Sequence, residues 1–110
     1  MLTGNQTVAY STRVDSVFNA LGDPTRVAIV VELGHRDNQS LFELCTRLID
    51  THGRGMSRQA TAKHVAVLRE AGIVTVTQVG RTSVHSLDRE ALVRARDWLS
   101  AFVNDPKGSA

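Results

Sequence analysis

Between Ser57 and Leu87 the hydrophobic period changes once, and this limits the fold more than any other feature of the chain. From Ser57 to Ala71, apolar or small residues recur at Thr61, Val65 and Leu68, flanked by Ala60, His64 and Val67, which is helical spacing. Ser57 is the expected cap and Gly72 the expected stop. Beyond Gly72, "IVTVTQ" alternates apolar and polar with β-branched residues, a strand signal. "VGRT" supplies a turn at Gly80, and "SVHSL" gives a second short strand. A helix that runs through a glycine into a hairpin leaves few architectures open.

The elements on either side narrow the choice. Val14, Val17, Phe18 and Leu21 have helical spacing, and Gly22 ends that helix. Asp23 is the expected N-cap of a second helix, with Pro24 at the first position, where its missing N–H costs nothing. This helix is apolar nearly all round through Val27, Ile29, Val30, Val31 and Leu33, so it is expected at the buried centre, with Gly34 as its stop. "HRDNQS" reads as a polar loop. Ser40 caps a third helix, Leu41 to Ile49, that buries Leu41, Leu44, Cys45 and Leu48, and "DTHGRG" reads as the connection to the fourth. Asp88 caps a last helix with Leu92, Ala95, Leu99 and Phe102 on one stripe, widened by Trp98 and Val103. The expected fold is mainly α with a small β-hairpin: a winged helix-turn-helix of about five helices plus a two-stranded wing. At 110 residues it is a single domain over 1–110, with a loose arm at 1–11 and a loose tail at 104–110.

Charge points to what the fold serves. The net charge is only +2, but residues 51–87 hold Arg54, Arg58, Lys63, Arg69 and Arg81 against Glu70 alone. The remainder holds eight basic and ten acidic residues. One basic third on an otherwise acidic domain suggests a polyanion at one face; a solvated charged surface is the bland alternative. Burying Thr61, Val65 and Leu68 leaves Arg58, Gln59, Ala62, Lys63 and Ala66 outward. The alanines let the helix backbone approach base edges in a major groove about 12 Å wide. Arg58 and Gln59 lie at the N-terminal end, which enters the groove deepest in this motif. Arg81 follows the hairpin turn, where a wing reaches phosphate or the minor groove, although a basic hairpin tip is often merely solvated.

"ALGDPTRVAIVVEL" (Ala20–Leu33) followed by "MSRQATAKHVAVLREAGIVTVTQVGRTSVHSL" (Met56–Leu87) resembles the ArsR/SmtB-type winged-helix transcriptional regulators. The resemblance covers Val14 to Phe102. It implies a homodimer joined through its first and last helices, which places Val14, Val17, Phe18, Leu92, Ala95, Leu99 and Phe102 at the interface. It also implies repression by binding double-stranded DNA near a promoter, relieved by a signal that the sequence does not name. Ser57 matches the family's helix cap, and Lys63 and His64 the polar pair near its middle. Ala62 stands where many members carry a DNA-contacting serine. The expected DNA-binding set is Ser57, Arg58, Gln59, Ala62, Lys63, His64 and Arg81. "DTHGRG" is longer than a tight helix-turn-helix turn and reads as a surface insertion or, through Arg54, as a phosphate-contacting loop.

Other chemistries find little support. The family's thiolate site needs two cysteines on the third helix, but Arg47 stands where the second would be, two residues after Cys45. The last helix, Asp88–Val103, contains no His or Cys, and His35, His52, His64 and His85 are scattered. No metal and no cofactor is expected. Cys45 sits among Leu41, Leu44 and Leu48 and reads as a buried core thiol rather than a redox sensor. His64 either reaches a phosphate or caps the core beside Val67. Trp98 reads as dimer or core packing rather than a ligand cage. No nucleophile–base pair or phosphate-binding loop marks an enzyme. One cysteine, no signal-peptide core and no apolar run near the ~18 residues of a membrane span suit a cytoplasmic protein. The rival reading is a winged-helix module for protein–protein contact, which needs large apolar anchors that the outward face of the Ser57–Ala71 helix lacks.

Overall fold

A helix over residues 14–20 (α1) opens the computed structural model, which describes residues 14–103; the expected arm and tail lie outside the described residues. The order continues as α2 (Pro24–His35), β1 (Gln39–Ser40), α3 (Leu41–His52), α4 (Arg58–Glu70), β2 (Val74–Val79), β3 (Thr82–Leu87) and α5 (Arg89–Val103). Five helices and an antiparallel hairpin make a winged helix-turn-helix, as expected. The hairpin also gains a third strand: β1 pairs antiparallel with β3, Gln39 opposite His85 and Ser40 opposite Val84, so the sheet order is β1-β3-β2.

Local chemistry sets the helix ends. Asp23 Oδ2 accepts the N–H groups of Thr25 at 2.9 Å and Arg26 at 3.1 Å, and Pro24 starts α2. Ser40 and Glu43 form a reciprocal capping box on α3. Ser57 Oγ accepts from Ala60 N–H at 3.1 Å on α4. At the far end of α4, Ile73 N–H reaches back to Leu68 O at 2.9 Å, so the chain turns sharply and drops Ile73 and Val74 into the core. Asp88 Oδ1 accepts from Glu90 N–H at 3.1 Å and starts α5. The wing turns through Gly80 and Arg81 between the paired residues Val79 and Thr82. Gly80 has φ +64°, the left-handed value that a two-residue hairpin turn favours at its first position.

The core joins Ile29 and Leu33 of α2, Leu44 and Leu48 of α3, Val65 and Leu68 of α4, and Ile73, Val74, Ala91 and Ala95. Four expectations need correction. Gly34 does not stop α2: Arg36 N–H donates to Glu32 O at 3.0 Å, so the helix continues to His35. Nor is α2 buried all round. Val27 and Val31 lie exposed on its outer face, while Glu32 is wholly buried. Likewise, α3 does not stop at Ile49. It runs to His52 and closes on Gly53 at φ +64°, so much of "DTHGRG" is helix and the connection to α4 is short. Cys45, expected in the core, is only half-buried.

The buried Glu32 explains the longer α3. Its carboxylate meets Arg47 Nε and His52 Nε2, the latter at 3.2 Å, and both partners come from α3. Ending α3 at Ile49 would remove the second partner. Burial pushes the Glu32 carboxyl up, but the hydrogen bonds from Arg47 and His52 outweigh it and hold the carboxyl below its ordinary range. The ion pair clamps α2 to α3, the pair of helices that carries α4 on its flank.

Candidate nucleic-acid interface

α4 is held from one side and bare on the other. Thr61, Val65 and Leu68 are buried, and Thr61 Oγ1 donates to Ser57 O at 3.0 Å, which ties the first turn to the buried face. Arg58, Gln59, Ala62, Lys63 and Ala66 are exposed, as the spacing predicts. Ser57 Oγ is engaged as the cap.

The wing stands beside this face. α4, the wing strands and the first turn of α3 enclose a groove of about 1040 Å³. Arg58, Ala62, Ala66, Arg69 and Arg81 line it, with the buried His85 among the residues from the strands. His85 Nδ1 lies 2.9 Å from Gln39 O, so Nδ1–H donates and the ring fixes the third strand. Arg69 was not in the expected set. It follows Arg58, Ala62 and Ala66 at helical spacing, so the periodicity that selected those residues also pointed to it.

The arginines and lysines of the described residues fall into two groups. Arg36 pairs with Glu43, Arg47 with Glu32, Arg89 with Asp37 and Arg96 with Asp97. Arg26, Arg54, Arg58, Lys63, Arg69, Arg81 and Arg94 form no ion pair among the described residues. Four of these seven, Arg58, Lys63, Arg69 and Arg81, stand on α4 and the wing tip, where Glu70 is the acid in the groove lining.

His64 departs from the outward set. Its side chain is 26% exposed and faces the start of α2, with Nδ1 3.3 Å from Arg26 Nη1 and 3.9 Å from Asp23 Oδ2. It is half-buried, with one polar edge turned to α2. Asp23 is held below the ordinary carboxylate range, first by the backbone N–H of Arg26. Arg54 is exposed, with Nη1 3.5 Å from Thr25 Oγ1.

The residues expected at a dimer interface separate into three sets. Val14, Val17 and Ala95 are buried within the protomer. Phe18 and Leu92 are partly buried against the core. Leu99 and Phe102 remain 45% and 65% exposed, and Trp98 and Val103 are exposed beside them. Trp98 stacks edge-on against Phe18, with centroids 5.4 Å apart, and tilts against Phe102 at 4.8 Å. A shallow apolar depression of about 530 Å³ runs along Phe18, Leu21, Leu92 and Leu99. Periodicity marks a stripe as apolar but cannot say whether its own chain or another covers it.

Comparison with known proteins agrees with this architecture. A family model described as a helix-turn-helix domain matches residues 21–77. The HTH-type transcriptional regulator YuzN of Bacillus subtilis strain 168 is 44% identical over 78 residues, 71% of this chain and 85% of its own. An ArsR-like transcriptional regulator from Rhodococcus sp. RHA1 superposes with TM-score 0.73 at 33% identity, covering 90% of this chain and 87% of the other. The homodimeric winged helix-turn-helix DNA-binding domain Mb0332 from Mycobacterium bovis shares the fold, with TM-score 0.68 at 19% identity over 87% and 84% of the two chains. With its reading helix, wing and element order in place, the chain belongs to the ArsR-type winged helix-turn-helix family of transcriptional regulators.

Proposed function

We propose that the chain is a cytoplasmic, homodimeric repressor that binds an inverted-repeat operator in double-stranded DNA through α4 and the wing. The observation that carries this reading is the set of four unpaired cations, Arg58, Lys63, Arg69 and Arg81, around a reading face of small residues. Arg58 and Gln59, at the N-terminal end of α4, read base edges. Ala62 and Ala66 let the helix backbone come close. Lys63, Arg69 and Arg81 hold phosphates and set the register. Ser57 caps the reading helix.

Dimerisation is supported by the exposed apolar end of α5, where Trp98, Leu99, Phe102 and Val103 cluster. The homodimeric state of the Mycobacterium bovis domain is consistent with it. A two-fold dimer presents two reading helices about one turn of DNA apart, near 34 Å, so its target has two-fold symmetry. A regulator seated on such a site at a promoter blocks transcription until a signal releases it.

The test is selection of bound sequences from a random duplex pool at ~150 mM salt, repeated with Arg58→Ala and Lys63→Ala. The wild type is expected to recover an inverted repeat. Arg58→Ala should relax one position in each half-site, and Lys63→Ala should weaken binding evenly across sequences. Recovery of no preferred sequence would refute the operator reading and favour a module that contacts another protein.

A further inference from the structure

Arg26 is occupied on three edges at once. Its Nε–H donates to Ala20 O at 2.7 Å and its Nη2–H to Asn19 O at 3.4 Å, while Nη1 lies 3.3 Å from His64 Nδ1. The first two acceptors are carbonyls at the C-terminal end of α1. The Ala20 carbonyl would normally accept from the residue four positions on, but that residue is Pro24, which has no N–H. Arg26 fills the gap. The third contact lies on α4. One guanidinium thus joins the end of α1 to the middle of the reading helix. It also joins the two stretches that the sequence singles out, Ala20–Leu33 and Met56–Leu87.

The contact decides where His64 carries its proton. A guanidinium has donors only, so Nδ1 must accept, and the ring that makes this bond is neutral with its hydrogen on Nε2. Asp23 Oδ2, 3.9 Å from Nδ1, already accepts two backbone N–H groups. The only buried side-chain polar atom without a partner is Gln39 Oε1, among the described residues. His64 Nε2 also has no hydrogen-bond partner among them, so it reaches water. His64 directly follows the exposed Lys63 in α4.

We propose that Arg26 is a positioning residue of the DNA-binding surface: it holds His64 as the Nε2–H tautomer, a neutral donor to a backbone phosphate, and ties α4 to α1. The proposal rests on the DNA-binding reading above. Because α1 borders the proposed dimer seam, the same contact gives a movement at that seam a direct route to the reading helix.

Two measurements on the full chain test it. Long-range ¹H–¹⁵N correlation at pH 7.5, without DNA, should show His64 as one tautomer with the hydrogen on Nε2. Arg26→Lys, whose single ammonium cannot serve both α1 and His64, should show a mixture. The second measurement is operator affinity for Arg26→Lys, His64→Ala and the double variant. His64→Ala should weaken binding about five- to tenfold, Arg26→Lys less because a mixture keeps part of the Nε2–H donor, and the double variant no more than His64→Ala alone, because Arg26 acts through that ring. His64→Ala should leave the salt slope unchanged, since the lost donor is neutral. A merely structural Arg26 would lower affinity additively with His64→Ala and leave the tautomer alone, which would overturn the proposal. A mixed tautomer in the wild type would overturn it as well. If the wild type binds no duplex, the phosphate contact falls together with the functional reading; if it binds duplex and only the tautomer result fails, the role of Arg26 falls alone.

Discussion

Replacing Arg47 by Met removes the guanidinium from Glu32 while keeping most of the side-chain stem, and it separates the two halves of one ion pair. The halves are unequal. The Glu32 side chain is wholly buried, whereas that of Arg47 is 39% exposed and can turn to water. Losing one partner of a fully buried pair costs about 3–5 kcal/mol. His52 remains beside Glu32, and the pair is open to solvent on the arginine side, so about 2–3 kcal/mol is the expected cost of Arg47→Met. Glu32→Met should differ. It removes the buried charge, fills similar space, and frees Arg47 to be solvated, so it should fall within about 1 kcal/mol of the wild type.

The two variants should also part with pH. In the wild type the Glu32 carboxyl lies below its ordinary value, so its stabilisation is full at neutral pH and is lost as pH falls from that value through the folded one. In Arg47→Met, burial prevails and the carboxyl shifts up. The penalty is then greatest at neutral pH and is relieved by protonation on acidification. Wild type and Arg47→Met should therefore converge toward about pH 4. Urea unfolding from pH 7.5 to 4, at fixed protomer concentration, measures both effects. Glu32→Met costing as much as Arg47→Met, or a gap that stays flat with pH, would refute the reasoning.

Lys63→Ala and Arg81→Ala should each weaken operator binding and lower the slope of log affinity against log salt by about one per protomer, about two for the dimer; an unchanged slope in both would remove these residues from the phosphate contacts. Leu99→Asp should convert the dimer to a monomer in analytical ultracentrifugation, because it would bury an unpaired carboxylate at the seam. Leu99 is 45% exposed in the single chain, so that chain should keep its fold by circular dichroism. A dimer that survives Leu99→Asp would disprove this interface.

Much of the fold was legible because its signals are local. Asp23 before Pro24, Ser40, Ser57 and the change of period at Gly72 each act within a few residues, and each marks an element boundary in the structure. What the sequence hid depends on distant partners. β1 is two polar residues whose strand character comes from His85 and Val84, far along the chain. α3 outruns its apolar stripe because His52 is drawn to Glu32. Glu32 itself sits on a helix that looks apolar all round, and only its partners on α3 make its burial tolerable. At the interface face the outward set on α4 was readable from spacing alone. The Arg26–His64 contact was not, since its residues lie on different helices and neither stretch announces the other.

The unpaired cations are better explained by a partner than by folding. A surface ion pair adds about 0–1 kcal/mol, so folding would gain slightly if Arg58, Lys63, Arg69 and Arg81 had carboxylates beside them, as Arg36, Arg89 and Arg96 do. Such carboxylates would cost far more in binding. Each would repel phosphate and occupy the cation whose counterions binding must release. With one phosphate for each of Lys63, Arg69 and Arg81 in both protomers, the salt slope would be about −5, worth about 10³-fold in affinity between 50 and 200 mM salt. This electrostatic attraction is blind to sequence. On the proposed function, selectivity comes from Arg58 and Gln59 reaching base edges, and that reach requires Ala62 and Ala66 to stay small. A larger residue at either position would hold the helix away from the bases while leaving the phosphate contacts intact, so affinity and selectivity rest on different side chains of the same two turns.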